Sequence, residues 1–233
     1  MHEHEPFTWL SKIPGLEHAP NHLVTAVLVA VFLVVCGVAA TALAKAAGDT
    51  TIPEGRLSFR NFFEIVAEKL YALCESVMGE HAAEAYFPVI GTLFMFIFTC
   101  NLIGLIPGFL PPTDNINVTL AAGLFVFIYY NFHGIKANGI GYLKHFLGPV
   151  WYLAPLMLVI ELVSHVFRPI SLALRLRGNM MGDHAVLGVF LSLVPYVVPV
   201  IFYALGVFVA VVQAFVFCLL TMVYINLSTA HDH

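Results

Sequence analysis

Residues 22–44 read HLVTAVLVAVFLVVCGVAATALA, a run of 23 residues without a formal charge. A helix of that length is about 34 Å long, enough to cross the roughly 30 Å hydrocarbon core of a bilayer. An uncharged helix of this length would be unusual in a soluble core, so the run predicts a membrane-spanning helix. We expect residues 1–21 to form an external N-terminal tail.

The composition of the whole chain is that of a membrane protein. Its 233 residues are 60% hydrophobic and only 10% charged, where an average soluble domain is roughly 25% charged. Residues 1–87 hold 15 of the 24 formal charges. A soluble enzyme, a nucleic-acid-binding protein and a disordered chain are excluded, because each must present polar groups to water. The four cysteines have no paired spacing, and we expect neither a disulfide, a metal site nor a cofactor.

Residues 55–80 predict an amphipathic surface helix. Apolar residues such as Phe59, Phe63 and Leu70 recur at helical spacing among Arg60 and several glutamates. A helix of this kind lies on the membrane or on a partner. The alternative is a small soluble helical hairpin.

Four more apolar segments predict four more spans. Residues 88–135 form a helical hairpin, because only a short proline-rich turn separates its halves. Residues 146–194 and 200–227 are longer than upright helices need, so we expect them to be strongly tilted or broken. The predicted fold is an all-α polytopic membrane protein with about five membrane helices, the last two long and tilted, plus one amphipathic surface helix.

The loops predict an orientation. Lys136 and Lys144 lie in a basic loop after the hairpin, and basic loops favour the cytoplasmic side. Five crossings then place the N-terminus outside and the C-terminus in the cytoplasm.

Charges return inside the fourth apolar segment, where an arginine at the bilayer centre costs about 3 kcal/mol. On one helix the polar residues form a stripe about 120° wide: Glu161, Ser164, Arg168, Ser171, Arg175, Asn179 and Asp183. Such a stripe should face the bundle interior or water. Arg175 keeps its charge when desolvated. It either forms a buried ion pair with Glu161 or Asp183, or acts as a barrier between two proton-accessible cavities.

The sequence SLALRLRGNMMGDH, residues 171–184, resembles the signature of subunit a of the F-type rotary ATP synthase, whose usual form is SLxLRLFGN. Matching segments occur in the same order at 94–109, 117–120, 161–175 and 213–225. The resemblance implies a stator that is not catalytic alone. It would hold two half-channels against a rotating ring of c subunits in the bacterial inner membrane. Peripheral-stalk b subunits, the rest of the complex and lipids would be its other partners, and nucleic acid would not.

The resemblance also implies roles for residues. Arg175 matches the essential arginine that would face a carboxylate of the ring. Glu161, Asn179 and Gln213 match polar positions along the proton route, although a lone glutamine is more often a contact between helices. Ser164 and Asn101 are two further candidates for the proton route. The alternative for Ser164 is a local hydrogen bond, and the alternative for Asn101 is a contact within the helical hairpin.

The chain departs from the family pattern at two places. Relatives often carry a carboxylate and an imidazole at the positions of His184 and Gly206. His184 therefore becomes the candidate outer relay, with Asp183 beside it, unless it is an interfacial histidine. Arg177 replaces the usual phenylalanine, and its position opposite Arg175 on a helix leads us to expect a lipid phosphate or another subunit as its partner.

Two other functions compete with the stator. A stand-alone proton-coupled secondary transporter usually shows paired repeats, which this sequence lacks. A structural membrane scaffold would use the same charges only for ion pairs, and would tolerate the loss of Arg175.

Overall fold

The computed structural model describes residues 20–46, 59–106, 108–139, 154–193 and 198–229. In these ranges it contains six α-helices: α1 (Asn21–Ala46), α2 (Phe59–Met78), α3 (Glu80–Ile103), α4 (Ile116–Asn138), α5 (Ala154–Leu193) and α6 (Val198–Thr229). A 3₁₀ turn at Pro112–Asp114, here the connector turn, lies between α3 and α4. The described ranges contain no strand, which confirms the predicted all-α class.

Five of the helices are long and apolar enough to cross a membrane, as predicted. The candidate span in α5 has 36 residues and that in α6 has 30. At 1.5 Å per residue these segments are about 54 and 45 Å long. Both exceed a hydrocarbon core of about 30 Å, so neither helix fits upright inside it.

The helix α2 presents one buried face to the bundle. Leu70, Cys74 and Met78 are buried at helical spacing, while Glu68 and Glu75 are exposed. The helix ends at Met78, and the next residue is Gly79, whose φ of 82° lies in the left-handed region that favours glycine. The chain can therefore turn directly from α2 into α3.

The helix α3 begins at Glu80, eight residues before the start that the sequence predicted at Pro88. Pro88 lies inside the helix instead of opening it. A proline removes one backbone hydrogen bond and usually ends or kinks a helix, but membrane helices tolerate it where neighbours satisfy the freed groups. Because the helix tolerates this proline, the start predicted at Pro88 was wrong.

The core lies around α6. Along this helix Ala214, Phe217, Cys218, Met222 and Ile225 are at most 1% exposed. They belong to one buried cluster with residues of α2, α3, α4 and α5. All four cysteines are free and buried.

The helices α4 and α5 approach most closely at Gly123. A Cβ built on Gly123 would lie 2.7 Å from the carbonyl oxygen of Pro169. Only glycine fits this distance, because a backbone oxygen cannot move aside as a side chain can. The contact fixes the middle of α5, which carries the polar stripe.

Candidate functional site

Three arginines on α5 have different surroundings. Arg168 donates to Glu161 at 3.2 Å, and its guanidinium lies 5.4 Å from the centroid of the Tyr224 ring. Arg177 donates through Nε to the carbonyl oxygen of Asp114 at 3.1 Å. Two of the three cations therefore have partners within the chain.

Arg175 is the exception. Its side chain is exposed at the middle of α5, and it has neither a hydrogen bond nor an ion pair with any residue that the structure describes. Glu161, one partner suggested by the sequence, is bonded to Arg168 instead. Within the described residues, nothing neutralises the Arg175 guanidinium.

Arg177 has a partner that the sequence did not predict, while its expected contact with a lipid phosphate or another subunit stays a prediction. A helical wheel placed this residue opposite Arg175 and suggested a lipid phosphate or another subunit. The structure bonds it to the backbone of the connector turn of its own chain. Helical angle predicts which way a side chain leaves its helix, but not which neighbouring segment lies there.

The polar stripe faces outward on the chain rather than into the bundle. Four of its members are exposed: Ser164, Ser171, Arg175 and Asn179. Asn179 nonetheless joins α5 to α6, since its Nδ2 donates to Oε1 of Gln213. Gln213 is only 3% exposed. The structure therefore brings two of the predicted residues together one helical turn from Arg175.

Gln213 can approach α5 because small residues surround it on α6. Ala210 and Ala214 are fully buried, and Gly206 has no side chain to hold the helices apart. Small residues at a helix interface allow close packing in membranes. The Asn179–Gln213 bond is the polar contact that this packing permits.

Asn101 and Asp183 form a second polar group nearer the C-terminal end of α5. Asn101 is 1% exposed and accepts a hydrogen bond from the Thr113 hydroxyl at 2.9 Å. Both residues line a cavity of about 10 Å³ between α3, α5 and α6. His184 follows Asp183 on α5, but its side chain is outside the described residues.

Glu161 and Ser164 lie on the opposite side of Arg175 along α5. The Glu161 side chain is 34% exposed, and Ser164 is exposed one turn later. At 1.5 Å per residue Glu161 is about 21 Å before Arg175 and Asp183 is about 12 Å after it. Polar groups therefore occur on both sides of Arg175 along the helix.

Comparison with known proteins gives the family. A family model described as ATP synthase A chain matches residues 23–226. The chain is 48% identical to ATP synthase subunit a of Bdellovibrio bacteriovorus, over 97% of this chain and 99% of that protein. It is 44% identical to ATP synthase subunit a of Trichlorobacter lovleyi, over 96% and 95% of the two chains. The Geobacter sulfurreducens subunit is 46% identical over 88% and 86%.

The chain belongs to the ATP synthase subunit a family. It is thus a multi-pass membrane subunit of the ATP synthase complex, and it serves proton translocation as a stator without being catalytic alone. None of these relatives supports the stand-alone transporter.

Sequence reasoning missed Thr113 in this subunit a chain. The residue is 1% exposed and holds the Asn101 amide. The only sequence signal was its place in the proline-rich turn PPTDN, where a threonine is ordinary. Contact between residues twelve positions apart across a turn leaves no periodic pattern.

His165 joins α5 to α4 and lies away from the Asn101–Asp183 group. His165 is 6% exposed, and its Nε2 lies 2.8 Å from Oδ1 of Asn131 on α4. The residues near both chain ends, including the four terminal histidines, are not described. Within the described ranges, no three His, Cys, Asp or Glu residues are placed to hold a metal ion.

Proposed function

We propose that this chain supplies two half-channels to a ring of c subunits in the bacterial inner membrane and that Arg175 separates them. The observation that carries the proposal is the contrast among the arginines of α5. Arg168 and Arg177 have partners in the described chain, whereas Arg175 is exposed and has none there. A cation left open in the middle of a membrane span requires a partner from elsewhere.

The chemistry of arginine fits a ring carboxylate as that partner. A guanidinium stays protonated at any physiological pH. In a low dielectric it attracts a carboxylate strongly and favours its ionised form. The same fixed charge repels protons and so opposes direct leakage between the two sides.

The two polar groups flanking Arg175 support two separate routes. We assign Asn101, Asp183 and His184 to the outer half-channel, and Glu161 and Ser164 to the inner one. Asn179 and Gln213 lie between them, where their hydrogen bond places amide groups one turn from Arg175.

Proton flow then drives rotation. A proton enters from the outer side and neutralises a ring carboxylate, which can now turn into lipid. After nearly a full turn the carboxyl group reaches the inner side and loses its proton there, with Arg175 favouring the ionised state. Each charge moved across the membrane gains about 2.3 kcal/mol per 100 mV.

The orientation we propose has the N-terminus outside and the C-terminus in the cytoplasm. Lys136 is exposed in the last turn of α4, and a basic residue there favours the cytoplasmic side. We also assign peripheral-stalk b subunits and lipids as partners, since α1 exposes a nearly continuous series of large apolar side chains, among them Leu23, Val31 and Val38.

Replacing Arg175 with Ala or Lys tests the proposal. We expect either variant to assemble into the complex but to abolish ATP-driven proton pumping in inverted membrane vesicles. Lysine should fail because it is a compact ammonium that loses its proton more easily than a guanidinium when desolvated. Leu174→Ala, which changes an exposed neighbour without charge, serves as the control and should keep most of the pumping.

Normal pumping in an assembled Arg175→Ala complex would contradict the proposal. That result would favour the scaffold interpretation, in which the charges of α5 serve only to hold the helices together.

A further inference from the structure

The cavity beside Asp183 has the size of one water molecule. Its volume is about 10 Å³, and its lining comes from α3, the turn after it, α5 and α6: Asn101, Leu105, Met180, Asp183, Leu187 and Phe202. A buried water needs roughly 10 to 15 Å³ on this measure and two or more polar partners. Only Asn101 and Asp183 among these residues carry polar side-chain atoms.

The Asn101 amide supplies the first partner. Its Oδ1 accepts from Thr113, so its Nδ2 is turned the other way. This nitrogen is buried and has no hydrogen-bond partner in the described part of the chain. Leaving a buried donor unsatisfied is costly, and ordered water commonly satisfies such groups.

The Asp183 carboxylate supplies the second partner. Its Oδ2 is buried and lies 3.4 Å from where a Cβ on Gly206 would be. The missing side chain at Gly206 leaves room for the carboxylate between α5 and α6. A water here can accept from Asn101 Nδ2 and donate to the carboxylate of Asp183.

Two residues hold this arrangement without touching the cavity. Thr113 fixes the orientation of the Asn101 amide. Arg177 bonds the carbonyl oxygen of the next residue, Asp114. The connector turn that carries Thr113 is therefore tied to α5, the helix that carries Asp183.

We propose that Thr113 and Arg177 are positioning residues of the outer half-channel: they set the Asn101 amide so that it holds one water against the Asp183 carboxylate. The inference rests on the proposed function. In each transfer the water passes a proton to the carboxylate of Asp183 and regains one from the outer solution, so the water is unchanged. Asn101 orients the water and does not itself carry the proton.

The test compares Thr113→Val with Thr113→Ser in the intact ATP synthase. Valine keeps the shape of threonine but has no hydroxyl, whereas serine keeps the hydroxyl. We expect Thr113→Val to slow passive proton conduction through the membrane sector about fivefold to tenfold, the worth of one hydrogen bond. Thr113→Ser should conduct at close to the original rate. Equal conduction by both variants, fast or slow, would overturn the proposal, because the hydroxyl would then not matter.

Combined variants test the route of action. If Arg177 acts through the same amide, Arg177→Met should slow conduction. The double variant, Arg177→Met with Thr113→Val, should then conduct protons no more slowly than Thr113→Val alone. Independent, multiplying effects would overturn the role of Arg177. Likewise Thr113→Val should have no added effect in an Asn101→Leu background, and an added effect there would overturn the role of Thr113.

A density map of the unaltered complex gives a measurement that does not depend on the variants. We expect one ordered water within hydrogen-bonding distance of Asn101 Nδ2 and of the Asp183 carboxylate. A protein atom paired with Nδ2 in its place would overturn the proposal. Arg175→Ala serves as the reference for the proposed function: if it still pumps, the stator mechanism fails, whereas if only the Thr113 comparison fails, the stator mechanism stands.

Discussion

At the scale of single residues, the cost of burying charge explains how α5 uses its cations. Arg168 and Glu161 are both partly exposed, at 24% and 34% for their side chains. Their pairing neutralises two charges close to one end of the helix, and the Tyr224 ring adds a cation–π contact. Arg175 lacks this compensation within the described chain, so the two arginines serve different purposes although they lie seven residues apart.

Exchanging Glu161 and Arg168 separates an ion-pair role of Glu161 from a role in proton transfer. The variant Glu161→Arg with Arg168→Glu keeps the opposite charges but moves the carboxylate about 10 Å along the helix. We expect it to restore the amount of assembled complex that Glu161→Ala loses, because the pair re-forms, while proton conduction stays low. Membrane content by immunoblot and conduction in stripped vesicles measure the two effects. Recovery of both would show that Glu161 acts only as a structural partner of Arg168.

At the scale of helices, glycine positions decide how closely elements pack. Gly123 allows α4 to touch the backbone of α5 beside Pro169, whereas Gly37 on α1 has nothing within 4 Å of an added Cβ. The same substitution should therefore have opposite consequences at the two sites.

We expect Gly123→Ala to destabilise the protein by about 1 to 3 kcal/mol, because a rigid backbone contact cannot relax without moving a helix. Gly37→Ala is the matched control. It should leave stability unchanged or raise it slightly, since alanine favours helix over glycine. Thermal unfolding of the purified complex in detergent measures both. A midpoint for Gly123→Ala equal to that of Gly37→Ala would contradict the close approach.

The burial of Cys74 on α2 predicts that its thiol reacts slowly with maleimide. Burial raises the pKa of the Cys74 thiol to about 11, and only the thiolate reacts with maleimide. At pH 8 the thiolate fraction is very small, so we expect labelling of Cys74 to be slow and to increase steadily up to about pH 11. Ser76→Cys, at an exposed position of the same helix, should label rapidly at pH 8. Equal labelling at both positions, measured by mass spectrometry, would mean that this face of α2 is not buried.

At the scale of the whole molecule, α4 separates two groups of polar residues by the length of a membrane span. The helix has 23 residues from Ile116 to Asn138, about 34 Å in length. Its first turn follows the connector turn, which carries the partner of Asn101, and its last turn carries Lys136. The two ends therefore lie at opposite faces of the bilayer.

Single cysteines at the two ends of α4 test the proposed orientation. Asn117 and Lys136 are both exposed. We expect an impermeant maleimide to label Asn117→Cys only from the outside and Lys136→Cys only from the cytoplasm, in sealed vesicles of known sidedness. Labelling from the reversed sides would invert the two half-channels while leaving the fold unchanged.

Much of this architecture could be predicted because hydropathy and helical period act along one chain segment at a time. The five spans follow from such local patterns, whereas the outward exposure of Arg175 does not, because the polar stripe was expected to face the bundle interior or water. The start of α3 did not, because Pro88 is tolerated inside a helix that its neighbours support. The partners of Arg177 and Asn101 did not follow from local patterns either, since both contacts depend on the position of the connector turn between α3 and α4.

The exposed guanidinium of Arg175 has a consequence for the synthesis of the protein in the cell. An orphan copy would expose a permanent cation to acyl chains, at a cost of about 3 kcal/mol, unless the lipid around it deforms. Under the proposed function, a copy bound to the ring of c subunits escapes this penalty, whereas a surplus copy does not. Synthesis in excess of the ring should thus yield a less stable protein with a shorter lifetime in the membrane.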